Sequence, residues 1–221
     1  MINLSKRLKT VASFVLKKEC NVIDVGCDHA LLDIYLLQSN SNLKVIASDN
    51  KKKPLENAKK NIIKYSFLDK IDISLRDGIN NIPKEIDTVI ISGMGAETII
   101  DILINDVEEL DHINRLIISS NNKYYEIRKK ISSLGYTIND EKIVYEEEKY
   151  YIVIEFIKGN KKYKEKELFF GPILLKNKDK IFYDYYGFIK TKKEEVLKQL
   201  PENNKNRNKI IKEIKLLEEE I

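Results

Sequence analysis

The chain has 221 residues, of which 43% are hydrophobic and 33% are charged, and its formal net charge is +4. This length fits one α/β domain with a small appendage, and no apolar run approaches the roughly 18 residues that a membrane span needs. The N-terminus is too interrupted for a signal peptide, and the two cysteines make no metal pattern with the two histidines, so a cytoplasmic protein without a metal site is predicted.

Strand and helix patterns alternate as far as Gly135, after an N-terminal helix built on Leu4, Leu8, Val11, Phe14 and Val15. Strands are predicted at residues 21–25, 44–48, 71–75, 88–91 and 116–119. Helices are predicted at residues 31–38, 54–65, 96–104 and 124–134. Because helical connections of this kind join parallel strands, a parallel sheet is expected, and its ligands would bind at the carboxyl ends of the strands.

The alternation stops after Gly135. Residues 136–145 and 150–158 are rich in β-branched and aromatic side chains, and Glu146–Lys149 separates them. Two such runs predict an antiparallel hairpin. The fold expected for residues 1–160 is therefore an α/β domain of the Rossmann type, with a seven-stranded, mostly parallel sheet that ends in an antiparallel hairpin.

Residues 161–221 differ from the rest in pattern and charge. They hold 16 basic and 11 acidic residues, whereas residues 1–160 hold 23 and 24. They are predicted to form a small helical domain, with an antiparallel hairpin over residues 172–221 and a coiled-coil seam at Ile210, Ile214, Leu217 and Ile221. The basic balance suggests an anionic partner such as RNA, although an AT-biased genome also enriches lysine. We expect a monomer, with dimerisation through the seam as the alternative.

The first strand ends in a turn that narrows the class of ligand. Residues 22–30 read VIDVGCDHA, in which Gly26 permits a tight turn and Asp28 replaces the second glycine of the dinucleotide motif G-x-G-x-x-G. A carboxylate at this place repels a phosphate but suits a cation. S-adenosylmethionine (SAM) has no phosphate and carries a sulfonium and an ammonium group, so the turn favours SAM. Another nucleotide and a purely structural turn are the alternatives.

Polar residues follow the next two strands at the same predicted edge of the sheet. Asp49, next to Asn50, follows the second strand, where a carboxylate can accept both ribose hydroxyls. Asp77 and Gly78 follow the third strand, where they can contact adenine. A structural role in a turn or helix cap is the alternative for each acid. The predicted cofactor-binding residues are Asp24, Gly26, Cys27, Asp28, His29, Asp49, Asn50, Asp77, Gly78, Gly93 and Met94.

The fourth strand ends in Gly93-Met94-Gly95, where Rossmann methyltransferases meet the methyl acceptor. The sequence lacks the Asn-Pro-Pro-Tyr motif of many amino-methylating enzymes, and two glycines leave space for a flat base; an ordinary tight turn is the alternative. Covalent catalysis is not predicted, since no nucleophile has a base in a recognisable pattern. The predicted catalytic residues are Asp28, His29, Gly93 and Met94, and Lys6 and Arg7 are predicted to contact RNA.

Four motifs together resemble a known family. They are Leu4-Ser5-Lys6-Arg7-Leu8, the run DVGCDHA from Asp24 to Ala30, Gly93-Met94-Gly95, and Phe170-Gly171-Pro172. In this order, over nearly the whole chain, they are similar to the bacterial tRNA (adenine(22)-N1)-methyltransferases. The resemblance implies a Rossmann methyltransferase domain with a C-terminal coiled-coil-like domain, SAM as the donor, and N1 of adenine 22 in tRNA as the acceptor.

Two positions depart from the family pattern. Family members usually have Gln-Pro-Asn after the fifth strand, whereas this chain has Ser119-Ser120-Asn121, and Ala96 stands where a third glycine is frequent. These departures concern the position of the substrate rather than the cofactor. The alternative functions are a methyltransferase of a small molecule or of another RNA, and a non-catalytic RNA-binding module.

Overall fold

A computed structural model describes residues 2–221. Seven strands form one sheet: β1 (Asn21–Val25), β2 (Lys44–Asp49), β3 (Ile71–Leu75), β4 (Thr88–Met94), β5 (Arg115–Ser120), β6 (Tyr136–Glu146) and β7 (Lys149–Lys158). Their order is β3-β2-β1-β4-β5-β7-β6. Strands β1 to β5 are parallel, and β7 pairs antiparallel with both β5 and β6. The prediction of a mostly parallel Rossmann-type sheet with a terminal antiparallel hairpin is confirmed.

Two helical layers cover the sheet, because alternate residues of its buried strands face opposite sides. Val22 and Ile90 belong to one hydrophobic cluster, whereas their neighbours Ile23 and Val89 belong to the other. The first cluster is covered by α1 (Lys6–Val15), α2 (Leu31–Ser39) and α3 (Lys52–Lys64). The second is covered by α4 (Ala96–Asn105), a 3₁₀ turn (Val107–Asp111), α5 (Tyr124–Ser133) and the helices after β7. None of the helices in residues 2–221 combines the length and apolar character that a bilayer span requires.

The C-terminal segment differs from the predicted single hairpin over residues 172–221. It begins with two short helices, α6 (Glu165–Phe170) and α7 (Pro172–Asn177), and the hairpin consists of α8 (Lys180–Gln199) and α9 (Arg207–Glu218). The predicted start was wrong because Lys178 adopts a left-handed conformation, with φ of 40°, and ends α7. Asp179 then begins α8, since its carboxylate accepts a hydrogen bond from the backbone N–H of Phe182 at 3.0 Å.

The C-terminal helices share a hydrophobic core with the sheet. Phe170, Phe182 and Leu217 lie in the same buried cluster as the side chains of β4 and β5 that face this layer. Ile214 and Leu217 are both buried, so this part of the predicted seam packs inside the chain. Residues 161–221 therefore form part of the folded core rather than a loosely attached tail.

A buried ion pair joins the C-terminal segment to the sheet. Arg128 of α5 and Glu141 of β6 have fully buried side chains, with Nε and Oε1 2.6 Å apart. Arg128 also donates hydrogen bonds to the carbonyl oxygens of Leu168 and Phe169 in α6, at 3.0 and 3.1 Å. Glu141 accepts a hydrogen bond from the backbone N–H of Ile173 in α7, at 3.1 Å. One ion pair thus binds the end of α6 and the start of α7.

Gly171 explains the Phe-Gly-Pro motif. It lies between α6 and α7 with φ of 90°, a conformation that side-chain-bearing residues rarely adopt. A Cβ at this position would lie closer than 3.0 Å to the Glu141 carboxylate and to the Arg128 guanidinium. Glycine therefore allows the two helices to meet directly over the buried ion pair.

Candidate active site

A cleft of about 610 Å³ opens at the carboxyl edge of β1, β2, β3 and β4. This volume lies within the range of small-molecule sites. The cleft is lined by all of the predicted cofactor-binding residues: Asp24, Gly26, Cys27, Asp28, His29, Asp49, Asn50, Asp77, Gly78, Gly93 and Met94. The strand order therefore brings together four loops that are distant in sequence.

The turn after β1 is bound to the end of β2. The backbone N–H groups of Gly26 and Cys27 both donate hydrogen bonds to the carbonyl oxygen of Ser48, at 2.8 and 2.9 Å. Gly26 has φ of 78° and Asp28 has φ of 49°, so both are left-handed. Asp28 thus replaces the second glycine of the dinucleotide motif while keeping a backbone conformation that glycine takes readily and aspartate tolerates better than most residues.

Asp24 is a buried acid at the floor of the cleft. Asp24 is only 5% exposed, and none of residues 2–221 forms a hydrogen bond with its carboxylate. Burial raises the pKa of Asp24 to about 7, the Arg7 guanidinium lowers it in part, and Asp49 raises it further. A carboxylate in this position favours a positively charged ligand, because such a ligand would supply the missing partner.

The loops after β2 and β3 are joined by polar side chains. Asp49 accepts a hydrogen bond from the backbone N–H of Lys51 at 2.9 Å, which orients its carboxylate and leaves further lone pairs free. The side-chain amide of Asn50 donates to Asp77 at 3.2 Å. Asp49 and Asp77 both line the cleft, where their carboxylates can accept hydroxyl and amino hydrogens from a nucleoside.

Asp28 and His29 stand at the mouth of the cleft rather than inside it. Their side chains are 68% and 52% exposed, and Nε2 of His29 lies 3.6 Å from Oδ2 of Asp28. Cys27 is buried behind them, and burial raises the pKa of its thiol. A protonated thiol is a poor nucleophile, so the geometry supports no covalent role for Cys27. Within residues 2–221, no three potential metal ligands come together.

The loop after β4 is held by the end of β5. Strand β4 continues three residues beyond its predicted end and contains an irregularity between Ser92 and Met94. Gly93 has φ of 89°, and its carbonyl oxygen accepts a hydrogen bond from the Asn121 side-chain amide at 2.8 Å. The role of Asn121 was missed from the sequence, although the asparagine is the one residue of Ser119-Ser120-Asn121 that the family pattern also has.

Arg7 lines the cleft, whereas its neighbour Lys6 is exposed outside it. The Arg7 guanidinium donates a hydrogen bond to Ser92 Oγ at 2.7 Å and lies 5.3 Å from the centre of the Tyr151 ring. Glu146, at the turn of the hairpin, accepts hydrogen bonds from the backbone N–H groups of both Lys6 and Arg7, which fixes α1 over this edge. Contact of Lys6 or Arg7 with RNA stays a prediction.

Several cleft residues were not predicted. Lys51 and Pro54 approach from the start of α3, Arg76 from the end of β3, and Thr98 and Ile102 from α4. Thr98 and Ile102 are four residues apart and so share a helix face, which is a signal that the sequence contains. The others follow strands whose carboxyl ends were already assigned to the site.

Local ion pairs take up much of the positive charge of the C-terminal helices. Lys193 pairs with Glu213 at 2.6 Å, and Lys178 pairs with Glu220 at 2.9 Å. Six lysines in residues 161–221 form no ion pair within 4.0 Å with any residue from 2 to 221. They are Lys162, Lys164, Lys176, Lys198, Lys205 and Lys215. Only some of the basic side chains in residues 161–221 are thus free to bind an anion.

Comparison with known proteins decides the family. A family model described as a methyltransferase domain matches residues 4–154. The tRNA (adenine(22)-N1)-methyltransferase of Bacillus subtilis is 30% identical over 188 residues, which are 82% of this chain and 79% of that protein. The chain belongs to the tRNA (adenine(22)-N1)-methyltransferase family. The resemblance seen in the four sequence motifs is therefore confirmed.

Solved structures of the family match almost the whole chain. The structure of M. capricolum TrmK in complex with the natural cofactor product S-adenosyl-homocysteine has a TM-score of 0.86 at 32% identity, and the match covers 98% of this chain and 96% of that one. The crystal structure of the B. subtilis m1A22 tRNA methyltransferase TrmK has a TM-score of 0.88 at 26% identity and covers 99% of both chains. The family fold thus includes the C-terminal helices.

The residues of the cleft, considered without the related proteins, fit an S-adenosyl group. Asp24 presents a buried carboxylate that lacks a partner, and Asp49 and Asp77 present acceptors at the ends of the next two strands. In the glycine turn, the Asp28 carboxylate stands where a phosphate-binding turn would have its second glycine. These acceptors therefore suit a cationic nucleoside.

Proposed function

We propose that this protein transfers a methyl group from SAM to N1 of adenine 22 in tRNA. The observation that carries the proposal is the buried, unpaired carboxylate of Asp24 in a cleft that also contains Asp49 and Asp77. Asp24 suits the positive charge of SAM, and Asp49 and Asp77 can accept hydrogens from its ribose and its adenine. The nucleotide and the atom come from the family, whose Bacillus subtilis member is named tRNA (adenine(22)-N1)-methyltransferase.

The three acids divide the cofactor between them. Asp24 would hold the ammonium group, Asp49 the ribose hydroxyls, and Asp77 with Gly78 the adenine ring. The Asp49 carboxylate is already oriented by the N–H of Lys51, so less ordering is needed when it accepts the hydroxyls. Bound SAM supplies an activated methyl group on its sulfonium.

The residues around the acceptor mainly align the substrate. N1 of adenine has an in-plane lone pair, so it needs no base to remove a proton before it attacks a methyl carbon. Gly95 leaves open space for a flat ring, since no atom lies within 4 Å of an added Cβ, and Asn121 fixes the backbone of this loop. At Gly93 the Arg7 guanidinium lies 3.3 Å from an added Cβ. Correct orientation of the reacting atoms is itself a large part of catalysis.

Positive charge develops on the adenine during the transfer. The Asp28 carboxylate at the mouth of the cleft and the Gly93 carbonyl oxygen are the groups that would stabilise it. His29 would act by positioning Asp28, 3.6 Å away. Met94 would shape the pocket rather than react, since its side chain packs against the Gly26 turn.

Binding of tRNA would depend on its phosphates and on extrusion of the adenine. Phosphate contacts dominate affinity and make it sensitive to salt. Lys6 beside the cleft and the unpaired lysines of the C-terminal helices are the residues that we assign to these contacts. Turning a base out of its stack costs a few kcal/mol, which the protein must offset with other contacts.

We further propose a monomer in the cytoplasm. Ile214 and Leu217 are buried inside the chain, so two of the four seam residues are not available for contact with a second copy. Cys20 and Cys27 are buried free thiols, which is compatible with a reducing compartment.

Transfer of label from SAM into total bacterial tRNA, followed by mass spectrometry of the nucleosides, tests the proposed activity. We expect a new peak of 1-methyladenosine. A different methylated nucleoside would refute the assigned atom, and SAM binding without any label in RNA would point to a small-molecule acceptor.

A further inference from the structure

An exposed cluster of aromatic rings lies where the hairpin of β6 and β7 packs against α8. Tyr145 and Tyr150 stand opposite each other on β6 and β7, with ring centroids 4.6 Å apart. The Tyr150 ring also lies 5.3 Å from Tyr185 and 5.8 Å from Phe188, both on α8. Tyr145 and Phe188 are 45% and 46% exposed, so the fold leaves much of both rings in water.

The cluster stands at the same edge of the sheet as the cleft. Strand β7 is antiparallel to β5, so the first residues of β7 lie beside the carboxyl end of β5. The Tyr124 hydroxyl joins the two ends, since it donates to the Ser120 carbonyl at 2.7 Å and accepts from the Ile152 N–H at 2.9 Å. Strands β7 and β6 are two and three places from β4. At roughly 4.8 Å per strand, the cluster is displaced from β4 by about 10 to 15 Å across the sheet.

Both lysines and acids lie beside these rings, since Glu147 and Glu148 are exposed in the turn that joins Tyr145 to Tyr150. Lys192 Nζ lies 5.9 Å from the centre of the Phe188 ring and also pairs with Glu195 at 2.9 Å. Lys149, the residue before Tyr150, is exposed and has no ion pair among residues 2–221. Aromatic rings beside lysines are the surface on which single-stranded bases stack, because each base offers a π face and each phosphate needs a cation.

We propose that Tyr145, Tyr150 and Phe188 form an aromatic platform on which the tRNA substrate stacks an unpaired base, a few nucleotides from the methylated adenine. The inference rests on the proposed function, because tRNA is the partner that it names. Extrusion of the adenine disrupts the stack on both of its sides. A platform at this distance gives a neighbouring base a replacement surface, and it brings α8 into the RNA interface by contact as well as by charge.

Tryptophan fluorescence can report this contact directly, because the chain contains no tryptophan. Phe188→Trp introduces one indole at the platform, and a stacked base quenches indole emission. Tyr183→Trp is the matched control, since Tyr183 is 45% exposed on the same helix. It is five residues from Phe188, about 140° around the helix axis. We expect a tRNA transcript to quench Phe188→Trp and to leave Tyr183→Trp nearly unchanged.

Phe188→Leu measures how much the ring contributes. We expect about a tenfold loss of tRNA affinity, as for removal of one base–aromatic stack, with SAM affinity unchanged. Tyr183→Leu should bind tRNA like the wild type. Because a stack releases no counterions, the slope of log Kd against log salt should stay the same in Phe188→Leu.

Two results would overturn the platform. One is wild-type tRNA affinity in Phe188→Leu together with no quenching in Phe188→Trp. The other is a loss of self-association as the sole effect of Phe188→Leu, which would assign the rings to a second copy of the chain. Failure of the proposed function is distinguishable, because it would appear as absence of 1-methyladenosine with the wild-type protein.

Discussion

The side-chain amide of Asn121 donates a hydrogen bond to the carbonyl oxygen of Gly93 at 2.8 Å. The Asn121 backbone N–H also donates to the carbonyl oxygen of Met94, at 2.9 Å. The end of β5 therefore fixes the loop after β4, where the methyl acceptor is expected. The next residue acts differently, since Asn122 Oδ1 accepts a hydrogen bond from the Ala96 N–H at 3.1 Å and caps α4.

Asn121→Ala should lower kcat by a larger factor than it weakens SAM binding. Loss of the amide frees the Gly93 carbonyl and loosens the loop that positions the base, and small misplacement of reacting groups costs about ten- to a hundredfold in rate. Steady-state kinetics and calorimetric SAM titration measure the two effects separately. Asn122→Ala is the control, and it should lower the free energy of unfolding by about 1 kcal/mol with little change in kcat. Equal kcat values for Asn121→Ala and the wild type would contradict the assigned role.

SAM affinity should depend on the protonation of Asp24. Burial raises the pKa of this carboxyl to about 7. Below that pH the free protein holds a proton that a cationic ligand must displace, so affinity should rise as the pH increases to about 7 and then level off. Titrations between pH 5 and pH 7.5 stay below the usual pKa of an α-amino group, about 7.7–8.0.

Asp24→Asn is the variant that isolates this carboxyl. It should bind SAM at least about tenfold more weakly above pH 7, because a charge-assisted hydrogen bond is lost. The rise of affinity with pH should also disappear. A wild-type affinity that is flat over the same pH range would show that Asp24 does not bind the ammonium group.

The strands and the site edge could be predicted because their signals are local. Apolar or alternating runs of strand length mark β1 to β5, and Gly26, Asp49 and Asp77 stand at or just after the ends of three of them. Parallel strands then place such residues at one edge of the sheet without any knowledge of long-range contacts.

The remaining features depend on contacts between distant segments. Arg7 enters the cleft because the turn at Glu146 holds α1 over it, and Asn121 acts through a bond across two strands. The helices α6 and α7 are held by Gly171 and the buried pair beneath it, and the left-handed Lys178 separates α7 from the hairpin. Helical periodicity alone does not show such a break between α7 and α8.

Gly26→Ala should damage both folding and SAM binding. Gly26 has φ of 78°, and a Cβ there would lie closer than 3.0 Å to Cε of Met94. We expect about 1–2 kcal/mol of destabilisation from the left-handed conformation alone, and weaker SAM binding because the turn must shift. Thermal denaturation and SAM titration measure these effects.

Two further variants separate steric from conformational effects in this turn. Gly26→Ala combined with Met94→Ala removes the clash but keeps the unfavourable φ, so it should recover part of the SAM affinity. Gly95→Ala is the control, because Gly95 has φ of −70° and no atom lies within 4 Å of the added Cβ. Damage by Gly95→Ala as large as that by Gly26→Ala would contradict this explanation.

Arg128→Met should destabilise the whole protein. It leaves the Glu141 carboxylate fully buried without its partner, which typically costs about 3–5 kcal/mol. Arg128→Met combined with Glu141→Leu removes both charges and should be more stable than Arg128→Met alone. Urea denaturation of the wild type, Arg128→Met, Glu141→Leu and the double variant measures the free energies, and strictly additive effects of the two single substitutions would show that the pair is not coupled.

The most direct test of the activity uses two tRNA transcripts that differ only at position 22, with adenosine in one and guanosine in the other. Each is incubated with the protein and labelled SAM, and the modified position is mapped by the stop of reverse transcription. We expect label and a stop at position 22 in the adenosine transcript and neither in the guanosine transcript. Equal labelling of the two transcripts would contradict the assignment of adenine 22 as the methyl acceptor.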